Sequence, residues 1–230
     1  MVHRNFLAAI VLALPLASVA CGGKKTPVKD PNTDDPATTK VAPPPPKCES
    51  LDESCAAQAD TVAKVKSAGL TFKPPERWLY AQTESYSIMQ QGSDAGAAVL
   101  VIGSYMSDKD AKKNDAARDA AFADLLKALG ATLPKSYKVA WKKPEAPLEA
   151  NGLKMGTWLA PDVERTGLKD KKGNMPIVHA PIDATHNMLA IGFALGDDEK
   201  GMEAVQGVLM SIKPDAGAAE GDKKPEGDKK

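Results

Sequence analysis

The sequence predicts a single α+β domain over residues 48–213, held between segments that cannot build a core. Three observations predict it. Strand-like runs come in two groups, each followed by one amphipathic stretch, and an amphipathic stretch also opens the domain, so the order is helix, strands, helix, strands, helix. Val99-Leu100-Val101-Ile102 is apolar without alternation, as in a central strand covered on both faces. Residues 21–47 and 214–230 carry almost nothing apolar. Charge excludes one function class: 30 Lys and Arg balance 30 Asp and Glu, and the balance stays near even within each part. A broad basic surface for nucleic acid is therefore not expected.

The N-terminus reads as an address. His3 and Arg4 precede an uncharged, mostly apolar run at residues 6–19, too short to cross about 30 Å of hydrocarbon, so residues 1–20 form a signal peptide. At its end, Ala17-Ser18-Val19-Ala20-Cys21-Gly22 resembles the lipobox of bacterial lipoproteins. Ser18 stands where leucine is usual. The resemblance implies that Cys21 carries diacylglycerol on sulfur and an acyl chain on nitrogen; two or three chains anchor durably where one is marginal. It also implies export toward the outer membrane, since Gly22 and not Asp follows the cysteine. An ordinary secretory signal cut after Ala20 is the alternative.

Residues 21–47 are Lys, Thr, Asp and Pro, ending in Pro43-Pro44-Pro45-Pro46. Such a composition predicts an extended tether, stiffened by its prolines; a ligand for a proline-recognising domain is the sharper alternative. Of the three cysteines, Cys48 and Cys55 then remain. Ser50-Leu51-Asp52-Glu53 has the form of a capping box, and Leu51, Cys55, Ala59, Val62 and Val65 recur at helical steps until Gly69, which predicts a helix over that stretch. A Cys48–Cys55 disulfide would pin its start, worth roughly 2.5 kcal/mol for a loop of about eight residues. A metal pair is the other reading.

Beyond Gly69 the pattern turns to strands. Leu70-Thr71-Phe72 and Trp78-Leu79-Tyr80 are extended runs around a proline turn, and residues 86–91 and 97–105 flank a turn at residues 92–96. Ser107 is the expected cap of the next helix, which carries Ala117, Phe122, Leu125, Leu126 and Leu129 on one face before Gly130. Strand candidates follow at residues 137–141, 153–160, 175–182 and 188–195, with Asp183-Ala184-Thr185-His186-Asn187 as a turn. A last helix begins near Asp198, places Met202, Val205, Leu209 and Ile212 on one face, and stops at Pro214. Residues 214–230, with Gly-Asp-Lys-Lys twice, read as a disordered charged tail.

Phe72-Lys73-Pro74-Pro75-Glu76-Arg77-Trp78 looks like the opening motif of the PsbP-like superfamily, which includes DcrB-like and LpqN-like bacterial lipoproteins. Residues 188–193, and the helix that ends Val208-Leu209-Met210-Ser211-Ile212, are similar to that family's last strand and terminal helix. The resemblance spans residues 70–213. It implies an α/β/α sandwich around a twisted, mainly antiparallel sheet, and a binding or assembly role.

Chemistry-bearing motifs are sparse. The processed chain keeps two histidines, and His179, Asp183 and His186 form a possible zinc or copper site, against a reading of one strand histidine and one turn histidine. The sequence holds no Gly-x-Ser-x-Gly elbow, His-Glu-x-x-His, phosphate loop or Ser-x-x-Lys, so no catalytic residues are assigned. Trp78, Tyr80, Trp141 and Trp158 are candidates to anchor a ligand or partner groove; the other reading has Trp78 and Trp158 fill the core between helices and sheet. The expected function is a lipid-anchored envelope protein whose domain binds another envelope component without catalysing a reaction. A small-molecule or metal-ion carrier is the alternative, and a hydrolase the third reading.

Overall fold

A computed structural model describes residues 47–92 and 96–215. Residues 1–46, with the expected signal peptide, Cys21 and all but the last residue of the expected tether, residues 216–230 of the expected charged tail, and residues 93–95 at the tip of the expected turn lie outside the described residues. The described chain is α+β, with a large antiparallel sheet, a small one and two helices.

Eleven strands are described. β1 (Ala63–Val65) and β2 (Leu70–Phe72) pair with β11 (Lys213–Pro214) in the small sheet. The large sheet contains β3 (Leu79–Gln82), β4 (Tyr86–Gln90), β5 (Ala98–Met106), β6 (Ala131–Thr132), β7 (Ala146–Ala150), β8 (Leu153–Arg165), β9 (Lys172–Pro181) and β10 (His186–Leu195). Its order is β3-β4-β5-β10-β9-β8-β6, with β7 also on β8. Two meanders therefore grow inward from opposite edges and meet where β10 pairs with β5 from Ala194↔Ala98 to His186↔Met106. That is why Val99-Leu100-Val101-Ile102 needs no polar face: each of the four is fully buried.

Alternation along the central strands sends two sets of side chains to two cores. Val99, Val101, Leu189, Ile191 and Phe193 face α1 (Ala111–Leu129) through Leu125 and Leu129. Leu100, Ile102, Met188, Ala190 and Ala194 face α2 (Glu199–Ser211) and the small sheet. Gly192 sits where α2 crosses most closely, since a Cβ there would lie 2.6 Å from Val205 Cγ1. Two hydroxyls bolt the small-sheet layer down: buried Ser87 Oγ donates to the Lys64 carbonyl at 2.6 Å, and half-buried Ser104 Oγ to that of Ser67 at 2.8 Å.

The opening helix is not formed. Residues 51–69 hold a 3-10 turn at Glu53–Cys55 capped by Asp52, then β1, a second tight turn and Gly69 at φ 57°. Tertiary pairing overrides the helical spacing. Ala57 N–H donates to the Trp78 carbonyl at 2.8 Å, and Ala63 and Val65 are buried by strand alternation, whereas Ala59 and Val62 of the expected helical stripe are exposed.

Four further elements differ. α1 is capped by Asp110, which accepts from the N–H groups of Lys112 and Lys113, and not by Ser107. Ser107 is still engaged with the sheet, its N–H donating to Thr185 O at 2.8 Å. Residues 137–141 form a loop across the α1 face with no ladder partner, while β7, carrying Pro147 and Glu149, is a strand that its composition conceals. Pro214 does end α2, but the backbone continues at once into β11 against β2.

Candidate functional site

Two surfaces of the sheet gather side chains that could meet a ligand. The first lies on the α1 face. Tyr105, near the end of β5, and His179, in β9, stand on either side of β10, with the Tyr105 hydroxyl 2.8 Å from His179 Nε2 and the rings stacked at 5.9 Å. The 133–145 loop lays Trp141 over them, 6.4 Å from the His179 ring, with edge contacts to Trp158 at 5.2 Å and Phe122 at 5.3 Å. Trp158 holds that loop in place, since its indole N–H is shared between the carbonyls of Ala140 at 3.1 Å and Lys143 at 3.2 Å.

Electrostatics on this face follow from burial. Arg118, on α1, stacks its guanidinium 4.7 Å from the centre of the Trp141 ring while Asp115 and Asp119 neutralise it at 2.8 and 3.1 Å. His179 is pushed down to about 4, first by burial and then by the Arg118 charge, so its imidazole is neutral near pH 7. Burial likewise raises the Tyr105 phenol above its ordinary value. A hollow of about 340 Å³ opens above Trp141, between Asp115 and Lys143. Tyr105 and His179 thus satisfy one another beneath an aromatic lid.

The second surface lies on the α2 face. A groove of about 470 Å³ runs between β7, β8, β9 and α2, with Pro147, Leu148, Pro176 and Leu209 among its walls. Leu159 and Met210 line it with 46% and 45% of their surfaces exposed. Elsewhere, a concavity of about 520 Å³ between β6 and the 165–172 segment is lined mostly by charged chains, including Glu164, Lys169 and Lys172. Arg165 at its wall is already committed to the fold, donating to the carbonyls of Leu129 at 3.0 Å and Gly96 at 2.9 Å.

The residues singled out in the sequence are distributed differently. Trp78 is 7% exposed in the α2-face core and Tyr80 packs against that core, whereas Trp158 belongs to the α1-face core. The three do not share a groove, because alternation puts them on opposite sides of the sheet. His179, Asp183 and His186 do not converge either. His186 Nδ1 lies 3.2 Å from both Asp183 oxygens in the turn, while His179 turns with Ile177 toward α1 and spends its Nε2 on Tyr105. The Thr185 amide and hydroxyl, then His186, hold the Asp183 carboxyl down to about 2. Among the described residues, no group of three or more His, Cys, Asp or Glu side chains is arranged to hold a metal ion.

Cys48 and Cys55 are brought together, their sulfurs at bonding distance and their Cα atoms 5.5 Å apart. They close a loop beside β3 and not the first turn of a helix. Sequence reasoning singled out His179 and also Trp158, which is among the residues bordering the Leu159–Met210 groove, but it missed Tyr105 and the exposed Leu159 and Met210. The period-two signal that sends Met175, Ile177 and His179 to one face was present for the Tyr105–His179 pair; the groove depends on β7, which the sequence conceals. Neither the family models nor the curated proteins include a match to this chain.

Proposed function

We propose that this chain is a lipid-anchored protein of the bacterial envelope, placed at the outer membrane, whose PsbP-like domain is a non-enzymatic binding or assembly module for another envelope protein. The lipobox-like residues 17–22 support the anchor at Cys21, with its diacylglycerol and N-acyl chains. A cystine at Cys48–Cys55 suits an oxidising compartment. The antiparallel sheet with a helix on each face suits the PsbP-like reading.

The observation that carries the binding role is the exposure of both Leu159 and Met210 along one apolar groove, the kind of patch that partner proteins cover. A photocrosslinking residue at position 159, introduced into the full chain in intact cells, should give one or two discrete adducts. The same residue at Lys127, exposed on α1, should not. Adducts that are absent from position 159 under several growth conditions, or identical from both positions, would overturn the assignment. Radiolabelled fatty acid should be lost in Cys21→Ser.

The volume of the groove also favours a second reading, a carrier of an apolar small molecule. That reading expects an added mass in native mass spectra of the protein, lost in Leu159→Glu.

A further inference from the structure

The two edges of the large sheet are protected by different means. On one edge, β7 carries Pro147, and the stretch of β8 that neither β6 nor β7 covers carries Pro161 and a register shift between Ala160 and Val163, with Asp162 at φ 57°. Prolines and bulges are the devices that stop an edge strand from pairing with another chain. At the other edge β3 reads Leu79-Tyr80-Ala81-Gln82, with no proline, no bulge and no charge.

What covers β3 is the Cys48–Ala57 segment. Gln82 N–H donates to the Cys48 carbonyl at 2.7 Å, Ala56 bridges antiparallel to Leu79, and Ala57 exchanges bonds with Arg77 and Trp78 at 2.8 Å. Residues 49–54 bulge away between these anchor points. The cystine excises that bulge, because the 5.5 Å between its Cα atoms is less than the roughly 6.8 Å spanned by two steps of a strand. Cys48 and Cys55 therefore act as near neighbours in a short guard strand. Without the bond, both anchors must be brought to β3 at the cost of closing the loop.

We infer that the cystine is a redox-controlled guard on β3, and that its loss turns this edge into a pairing surface for the β3 of a second copy. Reduction consumes two electrons and two protons from a dithiol, which becomes a disulfide, and leaves Cys48 and Cys55 as two thiols. The sulfur-bearing residues are only 5% and 4% exposed, so the dithiol reaches them when the segment lifts. A second copy is the fitting partner because pairing β3 with itself about a two-fold axis sets no like charges against one another, Leu79-Tyr80-Ala81-Gln82 carrying none. The edge is also as short as the guard it replaces.

The test uses the full chain carrying Cys21→Ser, oxidised or treated with dithiothreitol, beside the same chain with Cys48→Ser and Cys55→Ser. Hydrogen exchange is read at Gln82 and at Ile191 in the sheet centre, and mass by light scattering. At protein concentrations low enough to keep the chain monomeric, loss of the closed eight-residue loop should speed exchange at Gln82 about 60-fold and leave Ile191 protected; at higher concentration it should yield a dimer in which Gln82 is protected again by the second β3. Tyr80→Pro, which removes an outward edge N–H, should return the serine variant to monomer. A serine variant that stays monomeric, whether or not Gln82 is deprotected, overturns the inference. So does one in which Ile191 loses protection as well, since the bond would then hold the whole fold and not its edge.

Discussion

The phenolic oxygen of Tyr105 lies 2.8 Å from Nε2 of His179, joining β5 to β9 over the top of the strand between them. The pair is sealed by Trp141 and shadowed by the Arg118 charge. Both neighbours disfavour an imidazolium, which gives this hydrogen bond a consequence for stability.

His179 titrates near 4 in the fold against 6.5 unfolded. The unfolded chain therefore takes up its proton first as pH falls. The contribution is intact above about pH 6.5 and is lost progressively down to about pH 4, for a total of roughly 3 kcal/mol. Urea midpoints should fall over that window in the native chain, and His179→Gln should flatten the slope. Parallel slopes for the two proteins would refute the assignment.

Trp158 connects the sheet to the 133–145 loop by one N–H shared between two carbonyls. Trp158→Phe should cost about 1–3 kcal/mol, mostly because those part-buried carbonyls lose their donor. Hydrogen exchange should rise between residues 140 and 145 and stay unchanged in β10.

Two glycines should respond with opposite signs. Gly192→Ala places a methyl group 2.6 Å from Val205 Cγ1, where α2 crosses β10, and should destabilise by about 1–3 kcal/mol. At Gly207, on α2, an added methyl group would meet nothing within 4 Å. Gly207→Ala should stabilise by about 0.5–1 kcal/mol through helix propensity. Thermal melts of the two variants check the pair.

Asn151 has φ 50° and donates Nδ2 to the carbonyls of Met210 and Ile212, both at 2.9 Å, closing the end of α2. Asn151→Asp keeps the shape and removes both donors. It should lower stability by about 1–2 kcal/mol, whereas Asn151→Gly should restore the backbone preference but not the bonds. Equal stability of Asn151→Asp and the native chain would rule out this role for the side chain.

The legible elements were those whose local signal and tertiary role agree. Residues 99–102 announced a doubly covered strand, the two amphipathic helices were visible in their stripes, and Gly130 and Pro214 marked their ends. The Leu51–Val65 spacing misled because it satisfies a helix on paper, while Ala57, Ala63 and Val65 find better partners in strands. β7 was illegible because Pro147 and Glu149 are tolerated only on an edge, and which strand lies at an edge is not a local property.

By itself the sequence determined the α+β class, the central strand, the two long helices, the pairing partner available to Cys48 and the neutral charge that argues against a nucleic-acid surface. Tertiary structure decided which residues meet. It separated Trp78 and Tyr80 from Trp158, parted His179 from His186, joined His179 to Tyr105, and laid the cystine along β3. The physical reason is that periodicity encodes which face a side chain occupies, whereas the neighbour it finds there depends on strand order and register, set by contacts between segments far apart in the chain.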